Sequence, residues 1–129
     1  MTRLIEETKN GKKQVVLRRS FDDSGHLLLE AMGLANGKEQ VKSFTYDDAG
    51  RVLSYSLNGK EMWRNAYDAT TGQLTERVFS NLGVKLAFEP LSGGEVKESL
   101  EKVGGAVTSV KTLAPKDWQA TASTLQRLE

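Results

Sequence analysis

The chain has 129 residues, with 18 basic and 17 acidic side chains, one histidine and a formal net charge of +1 at pH 7. These mixed charges give no basic footprint for nucleic acid or an anionic membrane. The absence of cysteine excludes disulfides, thiolate catalysis and cysteine-bound zinc. At this length we expect a single domain over residues 1–129.

The N-terminal segment Met1–Glu7 has no apolar core of a signal peptide. No later stretch approaches the roughly 18 apolar residues of a membrane span. We therefore expect no membrane insertion and a cytoplasmic protein, with the periplasm as the alternative if a signal peptide has been removed.

One turn motif recurs along the chain. It consists of an aromatic residue, an aspartate, a short polar stretch and a glycine, and it occurs at Phe21–Gly25, Tyr46–Gly50 and Tyr67–Gly72. An aspartate in such a turn accepts a hydrogen bond from a backbone N–H two residues on, and the glycine adopts a left-handed conformation. Strands are therefore predicted on both sides of each motif.

A second turn motif alternates with the first. Asn-Gly-Lys begins at Asn10, Asn36 and Asn58, with a degenerate version at Asn81. Asn-Gly between segments of alternating polarity favours a β-hairpin with a type I′ turn. The two series together repeat every roughly 22 to 26 residues, a period typical of a repeated supersecondary unit.

The segments between the turns alternate in polarity, as in Leu53, Tyr55 and Leu57 against their neighbours. A period of two predicts β-strands, about eight of them between residues 3 and 89. The fold class is therefore all-β: mainly an antiparallel meander of repeated β-hairpins, forming a curved sheet or half-barrel.

The predicted repeat units cover about residues 3–25, 26–50, 51–72 and 73–94, with a degenerate unit at 95–114. In the last unit Val96, Leu100 and Val103 also fit a helical spacing, but the repeat favours a strand. The β-branched segment Val107–Leu113 is predicted to be another strand.

One short C-terminal helix is predicted over about residues 116–127. Trp118, Ala122 and Leu125 share one helical stripe, and Pro115 and Asp117 suit its first turn. Such a helix can cover one face of the sheet or an open end.

The sequence offers little chemistry for catalysis. His26 lacks predicted partners and shares its position in the repeat with Arg51 and Gln73, so we expect a solvent-facing strand residue. The aspartate pairs that begin at Asp22 and Asp47 lack the alternating spacing of a calcium loop, which favours turn capping. We therefore predict no enzyme, no catalytic residue, no metal and no cofactor.

Tyr55, Trp63, Arg64 and Tyr67 lie in the middle of the repeat array. Tyr, Trp and Arg are the side chains most often found at binding hot spots, so these four are the candidate partner-binding residues. Packing across the sheet is the alternative role of the aromatic members.

The segment Phe44–Leu53, followed by Asn65–Thr75, resembles the tyrosine-aspartate repeat of bacterial Rhs proteins and teneurins. The resemblance is good over residues 41–79, weaker back to residue 15, and lost after about 90. It departs at Phe21, where the family has tyrosine, and at the third turn, which has an extra threonine. The Asn-Gly-Lys turns also resemble the MORN-like repeats of small bacterial antitoxins.

These resemblances imply β-hairpin repeats in a bacterial protein associated with toxins. The first functional hypothesis is a non-enzymatic protein-binding module of the immunity or antitoxin type, or an accessory protein, whose partner is a protein such as a toxin. The alternatives are a structural fragment of an Rhs-type cell-surface protein and a half-barrel carrier of an apolar ligand. Open sheet edges also predict a homodimer through edge-strand pairing.

Overall fold

The protein forms one antiparallel sheet followed by a helix. The computed structural model describes residues 1–9, 12–33 and 37–127, with the backbone alone for 6–9 and 12–15. The ten strands, β1 to β10 in chain order, are Thr2–Lys9, Lys12–Phe21, Leu27–Gly33, Glu39–Tyr46, Val52–Leu57, Lys60–Tyr67, Leu74–Phe79, Val84–Pro90, Val96–Lys102 and Val107–Leu113. A 3-10 turn spans Ser92–Gly94, and the helix α1 spans Pro115–Leu125.

Each strand pairs with its neighbours in sequence, so the order in the sheet is β1 to β10 without a crossover. This confirms the predicted meander, including eight strands within Thr2–Pro90. It also confirms strands, not a helix, at Val96–Lys102 and Val107–Leu113. The sheet is open, and β1 and β10 are its edges.

The Asn-Gly turn at Asn58–Gly59 has the predicted type I′ character. Asn58 has φ of 51° and Gly59 has φ of 81°, and the flanking residues Leu57 and Lys60 pair directly. Both central residues of a type I′ turn need positive φ. The predicted turn at Asn10–Gly11 and the residue Asn36 of the next one lie outside the described residues.

The aspartates of the other turn series cap their turns as predicted. Oδ1 of Asp22, Asp47 and Asp68 accepts a hydrogen bond from the backbone N–H two residues on, at 2.9, 3.0 and 2.8 Å. In the first two turns Oδ1 also accepts from the N–H four residues on. In the third turn the extra threonine changes this pattern, and Gln73 donates to the Thr71 hydroxyl instead.

Side chains at these turns join each aromatic turn to the next one. The residue after the turn glycine contacts the aromatic residue of the following turn: the His26 ring stacks on Tyr46 and the Arg51 guanidinium lies over Tyr67, both with 4.8 Å to the ring centroid. The hydroxyls of Tyr46 and Tyr67 then donate to the backbone carbonyls of Leu27 and Val52, the residues that follow His26 and Arg51, at 2.6 and 2.7 Å. We call this repeated set of contacts the turn ladder.

One face of the sheet carries most of the large side chains. We call it the aromatic face; its members include Phe44, Tyr55 and Trp63, which lie on adjacent strands in register, and Tyr67 and Phe88. On the opposite face the small residues Ala31, Ser54 and Ser99 are buried.

The best-packed core lies on the aromatic face beneath α1. Leu74, Phe88 and Val96 are buried there, and Trp118 and Leu125 of the helix pack against them. The helix therefore covers one face of the sheet, as the stripe of Trp118, Ala122 and Leu125 predicts. It begins at Pro115 in the first helical turn, where a missing N–H costs nothing.

Substitutions at two turn glycines measure how much the Arg51 contact of the turn ladder contributes to the free energy of unfolding. A Cβ on Gly72 would lie 2.7 Å from Nη1 of Arg51, whereas a Cβ on Gly25 would meet nothing within 4 Å. Both glycines have positive φ, 75° and 88°. Gly25→Ala should cost about 1 to 2 kcal/mol of unfolding free energy from backbone strain alone.

Gly72→Ala should cost about 0.5 to 1 kcal/mol more, because Arg51 must leave the Tyr67 ring. Urea denaturation of the two variants gives the difference. Equal losses would show that the Arg51 contact adds nothing to stability.

Candidate functional site

The aromatic face divides into a covered half and an open half. α1 lies over the covered half, β6 to β9, where Trp118 contacts Phe88 and Leu125 reaches Asn65. The open half, β1 to β5, instead holds three adjoining cavities of about 440, 480 and 430 Å³. The first two share Phe21 and Leu27 in their walls.

Basic side chains dominate the charged groups of the open half. Arg3, Arg19, Lys42 and Arg51 line the three cavities, with Glu30 as the acidic member. Arg19 pairs with Glu30 at 2.8 Å and Arg51 with Asp47 at 2.8 Å. Among the side chains that the structure describes, no carboxylate lies within ion-pair distance of Arg3 or Lys42. The described side chains of the open half therefore carry excess positive charge over an apolar floor.

A buried arginine fastens the end of α1 to the covered half. Arg77 is 7% exposed, and its guanidinium lies 3.7 Å from the centroid of the Trp63 ring. Its Nε donates to Oδ1 of Asn65 at 2.8 Å, and its Nη2 donates to the carbonyl of Leu125, the last residue of α1. Asn65 also donates to that carbonyl, at 3.3 Å.

Burial lowers the pKa of Arg77 to about 10, although the nearby Tyr67 hydroxyl favours the charged form. At neutral pH the guanidinium stays charged. It is stabilised by the face of an indole ring and by the negative end of a helix dipole, in addition to its hydrogen bonds. A cation held in this way serves to position the helix.

The predicted partner-binding residues separate onto two faces. Tyr55, Trp63 and Tyr67 all lie on the aromatic face, at the boundary between its two halves; Tyr55 and Trp63 have ring centroids 5.9 Å apart. Arg64 lies on the opposite face, opposite Ser54, and forms an ion pair with Glu61 at 2.6 Å. The three aromatic side chains are half-buried, and Trp63 and Tyr67 also contact Arg77 and Arg51.

His26 differs from its prediction as a solvent-facing strand residue. It precedes β3, and its side chain is only 35% exposed because it stacks on Tyr46 and because its Nδ1 lies 3.0 Å from Oδ2 of Asp22. Its Nε2 would lie 3.0 Å from a Cβ on Gly50, so the ring faces the next turn. The repeat correctly placed Arg51 in the equivalent position, where it pairs with Asp47.

The basic residues of the open half were not identified from the sequence. The signal present there is a basic residue two positions before an aromatic one, at Arg19 and Phe21 and again at Lys42 and Phe44. That spacing puts both side chains on one face of a strand. Their gathering across strands depends on the register, in which Arg3 opposes Arg19 and Glu30 opposes Lys42.

Both edge strands expose apolar side chains. Leu4 and Ile5 on β1 are each 52% exposed, and Val107 and Val110 on β10 are 51% and 57% exposed. Exposed apolar edges favour strand pairing between chains. A homodimer through an edge remains a prediction.

Within the described residues no group of three His, Asp or Glu side chains is placed to hold a metal ion. In the same part of the chain no helix has both the length and the apolar character needed to cross a membrane.

No protein-family model matches this chain. The chain is similar to the G-type lectin S-receptor-like serine/threonine-protein kinase SD2-5 of Arabidopsis thaliana, with 26% identity over 111 residues. The match covers 84% of this chain but only 13% of the plant protein. At this identity it assigns no family, and lectin, receptor and kinase are descriptions of the plant protein.

Replacing Arg77 should loosen α1. Arg77→Met leaves the Asn65 and Leu125 oxygens without their charged donor, which should cost about 2 to 3 kcal/mol of unfolding free energy. Arg64→Met removes an exposed arginine from the preceding strand and should cost less than about 1 kcal/mol. Hydrogen exchange should accelerate at the α1 amides in Arg77→Met alone. Unchanged α1 exchange in that variant would contradict the positioning role.

The turn aspartates should make stability depend on acid pH. Hydrogen bonds from the His26 backbone lower the pKa of Asp22; burial raises that of Asp47, but the hydrogen bonds from Arg51 outweigh it. As the pH falls, these carboxylates are therefore protonated in the unfolded chain before they are protonated in the folded protein. Their contribution to the free energy of unfolding is present above the unfolded pKa, about 4, and is lost as the pH falls through the folded pKa values.

Urea denaturation at pH 6, 4 and 3 tests this dependence. Asp22→Asn with Asp47→Asn should flatten the loss of stability at acid pH. Asp23→Asn with Asp48→Asn is the matched control, because it removes the same charge from adjacent exposed positions. Equal slopes in the two double variants would refute the assignment.

Proposed function

We propose that this protein is a non-enzymatic protein-binding module whose partner binds the open half of the aromatic face. The observation that carries the proposal is that α1 covers only one half of this face. The other half keeps three adjoining cavities with an apolar floor. Apolar surface bordered by polar groups is characteristic of interaction sites.

The use of the titratable side chains also supports binding over catalysis. Asp22, Asp47 and Asp68 accept backbone hydrogen bonds in turns, and His26 is held between Asp22 and Tyr46. These groups are engaged in structure. A catalytic acid or base instead needs access to a substrate proton.

More concretely, we assign the protein a cytoplasmic role as an immunity or antitoxin-type protein, or as an accessory protein of a bacterial toxin system. The support is the resemblance of its two turn series to Rhs and MORN-like repeats. Tyr55, Trp63 and Tyr67 border the open half, where a partner would contact them. Arg64 faces away from it and has no part in this surface.

A structural role within a longer β array is the second candidate. The linear strand order favours it, because β1 and β10 present unpaired edges to which further hairpins can be added. This role predicts repeat units beyond either end of the chain in the parent gene.

Co-expression with the product of the neighbouring gene tests the first function. We expect a stoichiometric complex and, where that product is toxic, restored growth. Arg3→Gln with Lys42→Gln should reduce both effects, since it removes the two open-half cations that have no carboxylate partner among the described side chains. Arg18→Gln with Lys85→Gln removes equal charge from the opposite face and serves as the control.

Growth restored equally by both double variants would place the partner elsewhere on the sheet. If the wild-type protein forms no complex and gives no protection, the immunity role is excluded and the structural role remains.

A further inference from the structure

We propose that the partner segment recognised by the open half is an acidic amphipathic helix of about four turns. This inference rests on the proposed function, because it specifies the chemistry of the protein partner. Its basis is the shape, charge and position of the open half relative to α1.

The cavities of the open half form one continuous groove across the strands. The cavities of about 440 and 480 Å³ share Phe21 and Leu27, and those of about 480 and 430 Å³ share Arg3 and Arg19. Ile5 and Leu17 extend the apolar lining to the first two strands. The groove therefore crosses β1 to β5 and can accept an elongated apolar surface.

The charge of the groove selects an acidic partner. Among the described side chains, four basic groups and one carboxylate line it, and Arg3 and Lys42 have no carboxylate partner there. An apolar strip flanked by Glu or Asp would contact the floor and pair with these cations at once. Complementary charge of this kind raises specificity and the association rate.

The covered half shows that a helix suits this sheet. α1 crosses the strands of that half, from Trp118 at β8 to Leu125 at β6 and β7, and the next residue, Gln126, lines the first cavity of the open half. The groove thus begins where α1 ends. A helix bound there would continue the layer that α1 starts.

The width of the open half sets the length of the partner helix. Strands about 4.8 Å apart make five strands about 20 to 24 Å wide. A helix that rises about 1.5 Å per residue spans this width with about 13 to 16 residues. The 11 residues of α1 cover the four strands β6 to β9 in the same way.

Nucleic acid is a poorer match to the groove. The chain has a net charge of only +1, and Phe44, which could stack on a base, is 5% exposed. Aliphatic side chains make up much of the remaining floor. The groove is suited to apolar side chains more than to bases.

Three synthetic peptides of 16 residues test the proposal. The first has an apolar stripe at helical spacing with Glu elsewhere, the second has Lys in place of Glu, and the third has the composition of the first with the apolar residues scattered. Binding is followed by fluorescence anisotropy and by amide shifts in NMR spectra. We expect only the first peptide to bind, to shift amides of β2 to β5, and to weaken as salt is added.

Arg3→Gln with Lys42→Gln should weaken that binding about five- to tenfold. Arg18→Gln with Lys85→Gln, on the opposite face, should change it less than twofold. Both double variants are folded if their amide shifts match those of the wild-type protein outside the substituted sites.

Equal binding of the basic or scattered peptide would overturn the proposal, as would amide shifts confined to the opposite face. Tighter binding of single-stranded oligothymidylate would show a nucleic-acid groove. Concentration-dependent shifts of the same amides without peptide, together with dimers in sedimentation, would show that a second copy occupies the groove.

The two hypotheses fail separately. A complex with the neighbouring gene product but no peptide binding contradicts the helix and leaves the binding module. Binding of the acidic peptide without any such complex contradicts the immunity role and leaves the groove.

Discussion

The fold depends on one local interaction, the aspartate that caps each aromatic turn. The Asp carboxylate accepts backbone N–H groups within its own turn and, in the first two turns, also holds the side chain after the turn glycine. That side chain, His26 or Arg51, then lies on the aromatic ring of the next turn. One carboxylate therefore fixes both the end of a strand and the position of the following unit. The sheet grows by repeating this step.

The helix α1 makes the two halves of the aromatic face different. A single-layer sheet exposes both faces, and α1 protects only part of one of them, through Trp118 on Phe88 and the Arg77 contact with the Leu125 carbonyl. The remaining strands keep their cavities over an apolar floor, with Arg3 and Lys42 unpaired among the side chains that the structure describes. The same face therefore supplies both the buried core and the proposed binding surface. The length of α1 determines where one ends and the other begins.

The sequence predicted the architecture well because its signals are local. Asn-Gly and aromatic-Asp turns determine hairpins within a few residues, and period-two alternation follows between them. The spacing of Val96 and Leu100 fits a strand as well as a helix, since residues four apart share a face in both. Val103 is exposed and takes no part in the core.

The site was harder to predict. Arg3, Arg19 and Lys42 meet only through strand register, and bulges before Phe21 and Tyr46 change that register in ways that polarity does not reveal. The prediction for His26 was wrong for a related reason, because its partners are a turn carboxylate and a ring from the next aromatic turn.

The unbroken strand order also has a consequence for how the molecule folds and comes apart. Every sheet pairing joins strands adjacent in sequence, so loop closure costs little and β-structure can form stepwise from neighbour to neighbour. Stability in such a chain is close to a sum of unit and nearest-neighbour contributions, as in linear repeat proteins. The units beneath α1 share the buried core, whereas the N-terminal units lack that cover. Opening should therefore begin at β1 and advance toward the helix, so that the protein can lose its first hairpins while the C-terminal half remains folded.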